Sequence, residues 1–108
     1  MPATIKNALD FIFHEWRYKP AGIVSYGGVS AGTRSAQMLK QVLSALDMPV
    51  VGSAVSIPFI ARRRNDDGSL DANDKMDDAA RSMLDELARW EQALRPMRET
   101  ARAKQASA

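Results

Sequence analysis

Two short apolar runs, residues 21–26 (Ala-Gly-Ile-Val-Ser-Tyr) and residues 50–57 (Val-Val-Gly-Ser-Ala-Val-Ser-Ile), constrain this chain more than any other feature. Between them lies an amphipathic stretch whose apolar stripe is Met38, Leu39, Val42, Leu43 and Leu46. A strand that returns to its neighbour through a helix must run parallel to it, with a right-handed crossover. Gly27-Gly28 stops the first run, and Pro58 follows the second. The intervening helix has its N-cap among Ser30 to Thr33 and closes at Asp47-Met48-Pro49.

Helical spacing also marks both flanks. Ile5, Leu9, Ile12, Phe13 and Trp16 recur at three- and four-residue steps, which predicts a helix over 3–16 begun by Pro2 and broken at Lys19-Pro20. A polar loop, 62–73, holds the triplet Arg62-Arg63-Arg64 and the turn signal Asp67-Gly68. After it, Met76, Ala80, Met83, Leu84, Leu87 and Leu94 share one face of a long helix, with Asp74, Asp77 and Asp78 favouring its positive N-terminal end. Pro96 is expected to end or kink that helix. Residues 1–97 then form one unit, and residues 98–108 a polar, disordered tail. The order helix–strand–helix–strand–helix reads as α/β, one side of a doubly wound domain: parallel strands want helices on both faces and neighbours on both sides.

Composition removes several functions. The 108 residues hold no Cys and one His, His14, so disulfides, thiolate chemistry and a multi-histidine metal centre fall away, and no metal ligand set is assigned. The cysteine count suits the cytoplasm. No apolar run approaches the roughly 20 residues of a membrane span, and the N-terminus lacks the features of a secretory signal. A net charge of +2 gives no reason to expect nucleic acid. Leu, Ile, Val and Phe are sparse, yet so balanced a charge argues for a folded domain. His14 alone is read as a helix-surface or interface residue, Met38, Met76 and Met83 as core filling, and Arg62 to Arg64 as a solvated loop in preference to the alternative, a site for a cofactor phosphate.

The segment with chemical content is Ser25-Tyr26-Gly27-Gly28-Val29-Ser30-Ala31-Gly32-Thr33-Arg34, at the carboxyl end of a strand and the start of a helix. Ligands of open α/β sheets bind there, glycines allow close backbone approach, and a helix start favours negative charge. The bland alternative is a glycine-rich turn that binds nothing. It is neither Gly-x-Gly-x-x-Gly nor a nucleotide P-loop. Gly28-Val29-Ser30-Ala31-Gly32 matches the Gly-x-Ser-x-Gly elbow of hydrolases, but that chemistry needs a histidine after the serine, and His14 precedes it.

The run Pro2-Ala3-Thr4-Ile5-Lys6-Asn7-Ala8-Leu9-Asp10-Phe11 resembles the Pro-x-x-Leu-Lys-Asn-Ala-Leu-Asp-Trp helix of the NADPH-dependent FMN reductase family. Lys19-Pro20, then Ile23-Val24-Ser25-Tyr26-Gly27-Gly28 with Gly32 and Arg34, is similar to that family's next strand and flavin-side loop, and Met48-Pro49-Val50-Val51 with Ile57-Pro58-Phe59 to its last strand. The resemblance covers residues 1 to about 94. It implies a flavodoxin-like fold, noncovalent FMN, hydride transfer from NAD(P)H through FMN to a flavin or quinone acceptor, and a homodimer or homotetramer. By position it assigns Ser25, Tyr26, Gly27 and Gly28 to cofactor binding, leaves Arg34 to the site or a subunit contact, and supplies no catalytic side chain. The family's Gly-Ser-x-Arg phosphate loop and its Pro-x-Tyr-Asn loop have no counterpart here. The expectation is the C-terminal portion of a reductase; the competing one is a noncatalytic flavodoxin-like fragment or oligomerisation module that no longer binds FMN.

Overall fold

The computed structural model describes residues 1–107. Its elements are α1 (Ala3–Asp10), β1 (Val24–Tyr26), α2 (Thr33–Ala45), β2 (Val55–Ile57), the short α3 (Ile60–Arg63) and α4 (Asp74–Ala106). The strands pair in parallel, Val24 with Val55, Ser25 with Ser56 and Tyr26 with Ile57, as the helical connection requires.

Both strands are shorter than their apolar runs. Ala21 bridges Val50, yet three residues later Val24 meets Val55, so the second chain carries two extra residues between the pairings. They are absorbed around Gly52, where the chain bends. Hydrogen bonds resume on either side: the amide of Val51 donates to Ala21 O at 2.9 Å and that of Val55 to Ile23 O at 3.2 Å.

Apolar side chains leave the sheet on both faces. On one, Leu9, Ile23, Leu43 and Met48 form a cluster flanked by Trp16, Leu39 and Val42, joining α1 and α2 to β1. On the other, Val51, Val55, Ile57 and Met83 pack with Met76, Ala80 and Leu87 of α4. Gly22 permits that second contact, since a Cβ there would stand 2.8 Å from the Met83 sulfur. The helix covers β2 rather than β1. Val24 and Tyr26, in register with buried Val55 and Ile57, are therefore 55% and 66% exposed on the same face.

Four expectations are corrected. The first helix stops at Asp10, and a turn at 14–18 follows. Its Trp16 indole folds back to donate to Leu9 O at 3.2 Å, so Trp16 reaches the core without a helix to carry it, while Ile5 and Phe13 stay exposed. Secondly, Met38 and Leu84 are exposed rather than core. Thirdly, a helical turn at 60–63 runs into the start of the expected loop. Fourthly, α4 runs through Pro96 to Ala106. Pro96 deprives the Gln92 carbonyl of its helical donor, but ion pairs of Glu91 with Arg95 and Arg98 and an Arg98 bond to Tyr18 O at 3.0 Å tie the helix together across that point. Helix thus occupies most of the segment expected to be a tail; Ala108 of that segment lies outside the described residues.

Several local readings agree. Asn73 caps α4, accepting from the Met76 amide at 2.9 Å, and Asp74 and Asp77 occupy the first turn. The Asp67-Gly68 turn closes a bridge between Arg64 and Leu70, with Gly68 at φ 86°.

Candidate functional site

β1 delivers the chain at Tyr26 to the carboxyl end of the sheet, and 27–32 turns it back into α2. Gly32 is the N-cap of α2, with φ 75°. A Cβ on it would lie 2.4 Å from the Tyr26 carbonyl oxygen, and one on Gly27 would lie 2.9 Å from the Gly32 nitrogen. These two glycines are needed for the loop to pack on itself. Gly28 differs: a Cβ there would meet nothing within 4 Å. Its openness leaves a place where another molecule can approach the main chain.

The loop is fastened from beneath. The Gly27 amide donates to Ile57 O at 3.2 Å, continuing the ladder, while Gly27 O and Gly28 O accept from the Ile60 and Phe59 amides, each at 3.0 Å. Phe59 turns the chain toward α3 with φ 51°. Gly28 O also accepts from the Ala31 amide at 3.2 Å. Among the described residues no protein acceptor meets the amides of Gly28, Val29 or Ser30. The carbonyls of Gly27, Gly28, Ser30 and Gly32 are committed while these three donors are free, so an electron-rich partner is one the loop can receive.

Of the residues singled out from the sequence, Ser25, Tyr26, Gly27 and Gly28 do lie together at this strand end. Their backbone roles are unequal. In a parallel ladder alternate residues face the neighbour: Ser25 and Gly27 turn toward β2, leaving Tyr26 and Gly28 to face outward. Arg34 is exposed on the first turn of α2. His14 is exposed too, its ring 5.4 Å from that of Phe13 in an edge contact, as a surface residue should be.

The basic triplet is divided rather than uniformly solvated. Arg62 lies 4.8 Å from the centroid of the Phe59 ring, and half-buried Arg63 lines a cleft of about 580 Å³. The other walls of that cleft include Ser30, Thr33, Ser56 and Lys75. Sequence reasoning missed it, because Arg63 and Lys75 meet only through the packing of α3 and α4, and no spacing announces that. No group of three or more His, Asp or Glu side chains able to hold a metal occurs among the described residues.

The profile of the NADPH-dependent FMN reductases matches residues 1–62, more than half the chain and the whole of the glycine loop. The chain belongs to that family. It is 50% identical over 58 residues to an NAD(P)H-dependent FMN reductase of Saccharomyces cerevisiae, covering 53% of this chain and 30% of the yeast protein. A second, from Schizosaccharomyces pombe, is 48% identical over 59 residues, covering 53% of this chain and 29% of the relative. A third, from a Nectria species, is 36% identical over 56 residues, or 52% and 28%. The chain thus aligns with only about 30% of the length of the curated relatives it matches. No solved structure matches. The family implies a flavodoxin-like fold, and the two parallel strands between helices are compatible with part of one.

Proposed function

We propose that this chain forms the ring-side part of an FMN-dependent NAD(P)H oxidoreductase that passes hydride from the nicotinamide through FMN to a flavin or quinone acceptor. The observation that carries the reading is the open Gly28 with its neighbouring unpaired amides, inside the matched segment. FMN accepts hydride at its ring and releases it to an acceptor, so the protein's task is to hold and enclose the reactants rather than provide an acid or base. Gly28, Val29 and Ser30 offer N–H donors to electron-rich ring atoms. The Tyr26 side chain, largely exposed at the same strand end, would cover an aromatic surface. Ser25 and Gly27 position the loop through the sheet.

Enzyme activity rests on a second portion. Nothing in the sequence matches the family's phosphate loop, and β1 presents an edge without a neighbouring strand. A polypeptide carrying the phosphate loop would supply both, and the assembled reductase is read as a homodimer or homotetramer in the cytoplasm, with no nucleic-acid or membrane partner. No helix of the described residues is long and apolar enough to cross a membrane. The second reading, a noncatalytic module, is favoured by that same open edge.

Quenching of FMN fluorescence separates the two. The chain alone should quench weakly, and together with a separately supplied phosphate-loop half it should quench strongly, because assembly and binding stabilise each other. Tight quenching by the chain alone would overturn the division of the site. Stable assembly of both halves without quenching would remove the reductase reading.

A further inference from the structure

Arg63 and Lys75 have no part in the reading above, yet both wall the same cleft of about 580 Å³. Its floor is β2, and around it stand the start of α2, the end of α3 and the first turns of α4. Three helices must pack before the cleft exists. Arg63 and Lys75 both lie beyond the segment that the family profile matches.

Charge there is one-sided. Among the described residues no acidic side chain lines the cleft. Neither Arg63 nor Lys75 joins an ion pair, whereas Arg17, Arg89, Arg95 and Arg98 each meet a carboxylate. Both cations are firmly rooted. Arg63 ends α3, and its carbonyl accepts from the Asp71 amide beside the Arg64–Leu70 bridge. Lys75 sits in the first turn of α4, where the helix dipole disfavours a cation and leaves its charge unrelieved. Asp74 and Asp77 share that turn but do not line the cleft. Neutral donors stand alongside. Asn73 spends Oδ1 on the Met76 amide, which leaves its Nδ2 hydrogens for another acceptor, and Thr33 adds a hydroxyl.

Two unpaired cations suit a group with two negative charges. A phosphate monoester carries about −1.5 to −2 at pH 7, more than a carboxylate or a phosphodiester. The guanidinium fork matches phosphate oxygens, and the lysine supplies a point charge. The cleft exceeds what one phosphate fills, and the rest of its wall is apolar, with Val29, Pro58 and Met76. Pockets of this volume enclose small organic molecules, and a methionine thioether favours contact with an aromatic ring. We infer that the cleft between α3 and the start of α4 binds a phosphate monoester carried on a flat aromatic body, the chemistry of a nucleoside monophosphate. The phosphate meets Arg63 and Lys75, and the ring lies against Met76 and Pro58. The inference uses no flavin and stands apart from the ring-side reading.

Two sources share this chemistry: a free mononucleotide, and the ribose phosphate that distinguishes NADP⁺ from NAD⁺. NMR titration of the 108-residue chain with adenosine monophosphate, adenosine, inorganic phosphate, NADP⁺ and NAD⁺ separates them. Adenosine monophosphate should bind about tenfold more tightly than adenosine or inorganic phosphate, and should shift the Thr33 and Asn73 amides. Arg63→Gln and Lys75→Gln should each weaken it about tenfold, since each removes a charge-assisted bond. Arg81→Gln removes a charge from an exposed position of α4 outside the cleft and should keep the parent affinity. Circular dichroism confirms that all three variants retain the parent helicity. NADP⁺ binding about tenfold tighter than NAD⁺ would place the dinucleotide's ribose phosphate in the site. Equal binding of the two dinucleotides, with adenosine monophosphate still bound tightly, would leave the free mononucleotide as the source. Adenosine monophosphate no tighter than adenosine would overturn the inference, as would inorganic phosphate binding equally well. So would cleft variants that bind like the parent, or an Arg81→Gln loss as large as theirs.

Discussion

Replacing Gly32 and Gly28 by alanine, one at a time, discriminates the two jobs assigned to the glycines of the loop. At Gly32 the backbone lies at φ 75°, and the new methyl carbon would be placed 2.4 Å from the Tyr26 carbonyl oxygen. A left-handed conformation costs a side-chain-bearing residue roughly 1–2 kcal/mol, and forcing a methyl into a packed contact adds about 1–3 kcal/mol. The sum is on the order of 3 kcal/mol, a large fraction of the ~5–15 kcal/mol that holds a domain together. At a urea dependence of ~1–3 kcal/mol per molar, the midpoint should fall by roughly 1–3 M. Gly28→Ala has open space and no positive φ. It should be neutral or gain about 0.4–1 kcal/mol from the stiffer unfolded chain. The assay is urea denaturation followed by Trp fluorescence and far-ultraviolet circular dichroism together. A Gly32→Ala midpoint equal to the parent's, or a Gly28→Ala loss as large as that of Gly32→Ala, would refute the division. In the flavin-binding assembly the order should invert, with stable Gly28→Val losing FMN affinity because its side chain fills the approach.

Other consequences can be checked separately. Met83→Ala should cost about 2–5 kcal/mol, since Met83 is buried against β2 and Gly22, whereas exposed Leu84→Ala should stay within about 0.5 kcal/mol of the parent in the same urea assay. Val24→Lys, at the exposed edge strand, should lower light scattering from concentrated solutions by discouraging edge-to-edge pairing; unchanged scattering would relocate any self-association. The Asp67 carboxyl accepts from the Ser69 hydroxyl and then from its amide, which holds it below the usual carboxylate range. A carboxyl with a lowered folded pKa stabilises the hairpin above its unfolded value, and that contribution disappears as pH falls through the folded one. Carbon-detected NMR titration should find Asp67 moved up toward the ordinary range by Ser69→Ala.

What the sequence discloses follows the range of the forces involved. The Gly32 helix start, the Asn73 region opening α4 and the Asp67-Gly68 turn depend on neighbours a few residues apart, so composition and spacing record them, and the parallel pairing of Val24 with Val55 follows from the helix that connects the two apolar runs. The first helix does not. Its stripe continues to Trp16, but the Trp16 indole finds the Leu9 carbonyl by folding back, and a side-chain bond of that kind leaves no periodic trace. Pro96 misleads for a similar reason. A lone proline argues for a break, yet Glu91, Arg95 and Arg98 bind one another across it, and Arg98 is anchored to Tyr18, eighty residues earlier. The glycine loop was legible as a place but not as a mechanism. Gly27, Gly28 and Gly32 look equivalent in sequence, and only the positions of Tyr26 O beside Gly32 and of the Gly32 nitrogen beside Gly27 separate the structural pair from the open one. Arg63 and Lys75 were beyond reach altogether, because they share a cleft by virtue of two helices packing.

The family match and the physical domain have different boundaries. Residues 1–62 carry α1, both strands, α2 and the loop, yet the cluster of Val51, Val55 and Ile57 closes only on Met83 of α4. Without α4, β2 would expose these three apolar side chains on one face of a two-stranded sheet, and a pair of short strands is not independently stable. The helix that completes the core is thus the same helix whose opposite half presents Trp90 and Met97 to solvent. An amphipathic face wider than a single stripe can bury one side against the sheet and leave the adjoining side in solvent. Any change that straightens, shortens or melts α4 should therefore loosen the strand end from which the Gly28 loop is hung, through Val55 and Ile57, before it reaches any residue of that loop directly.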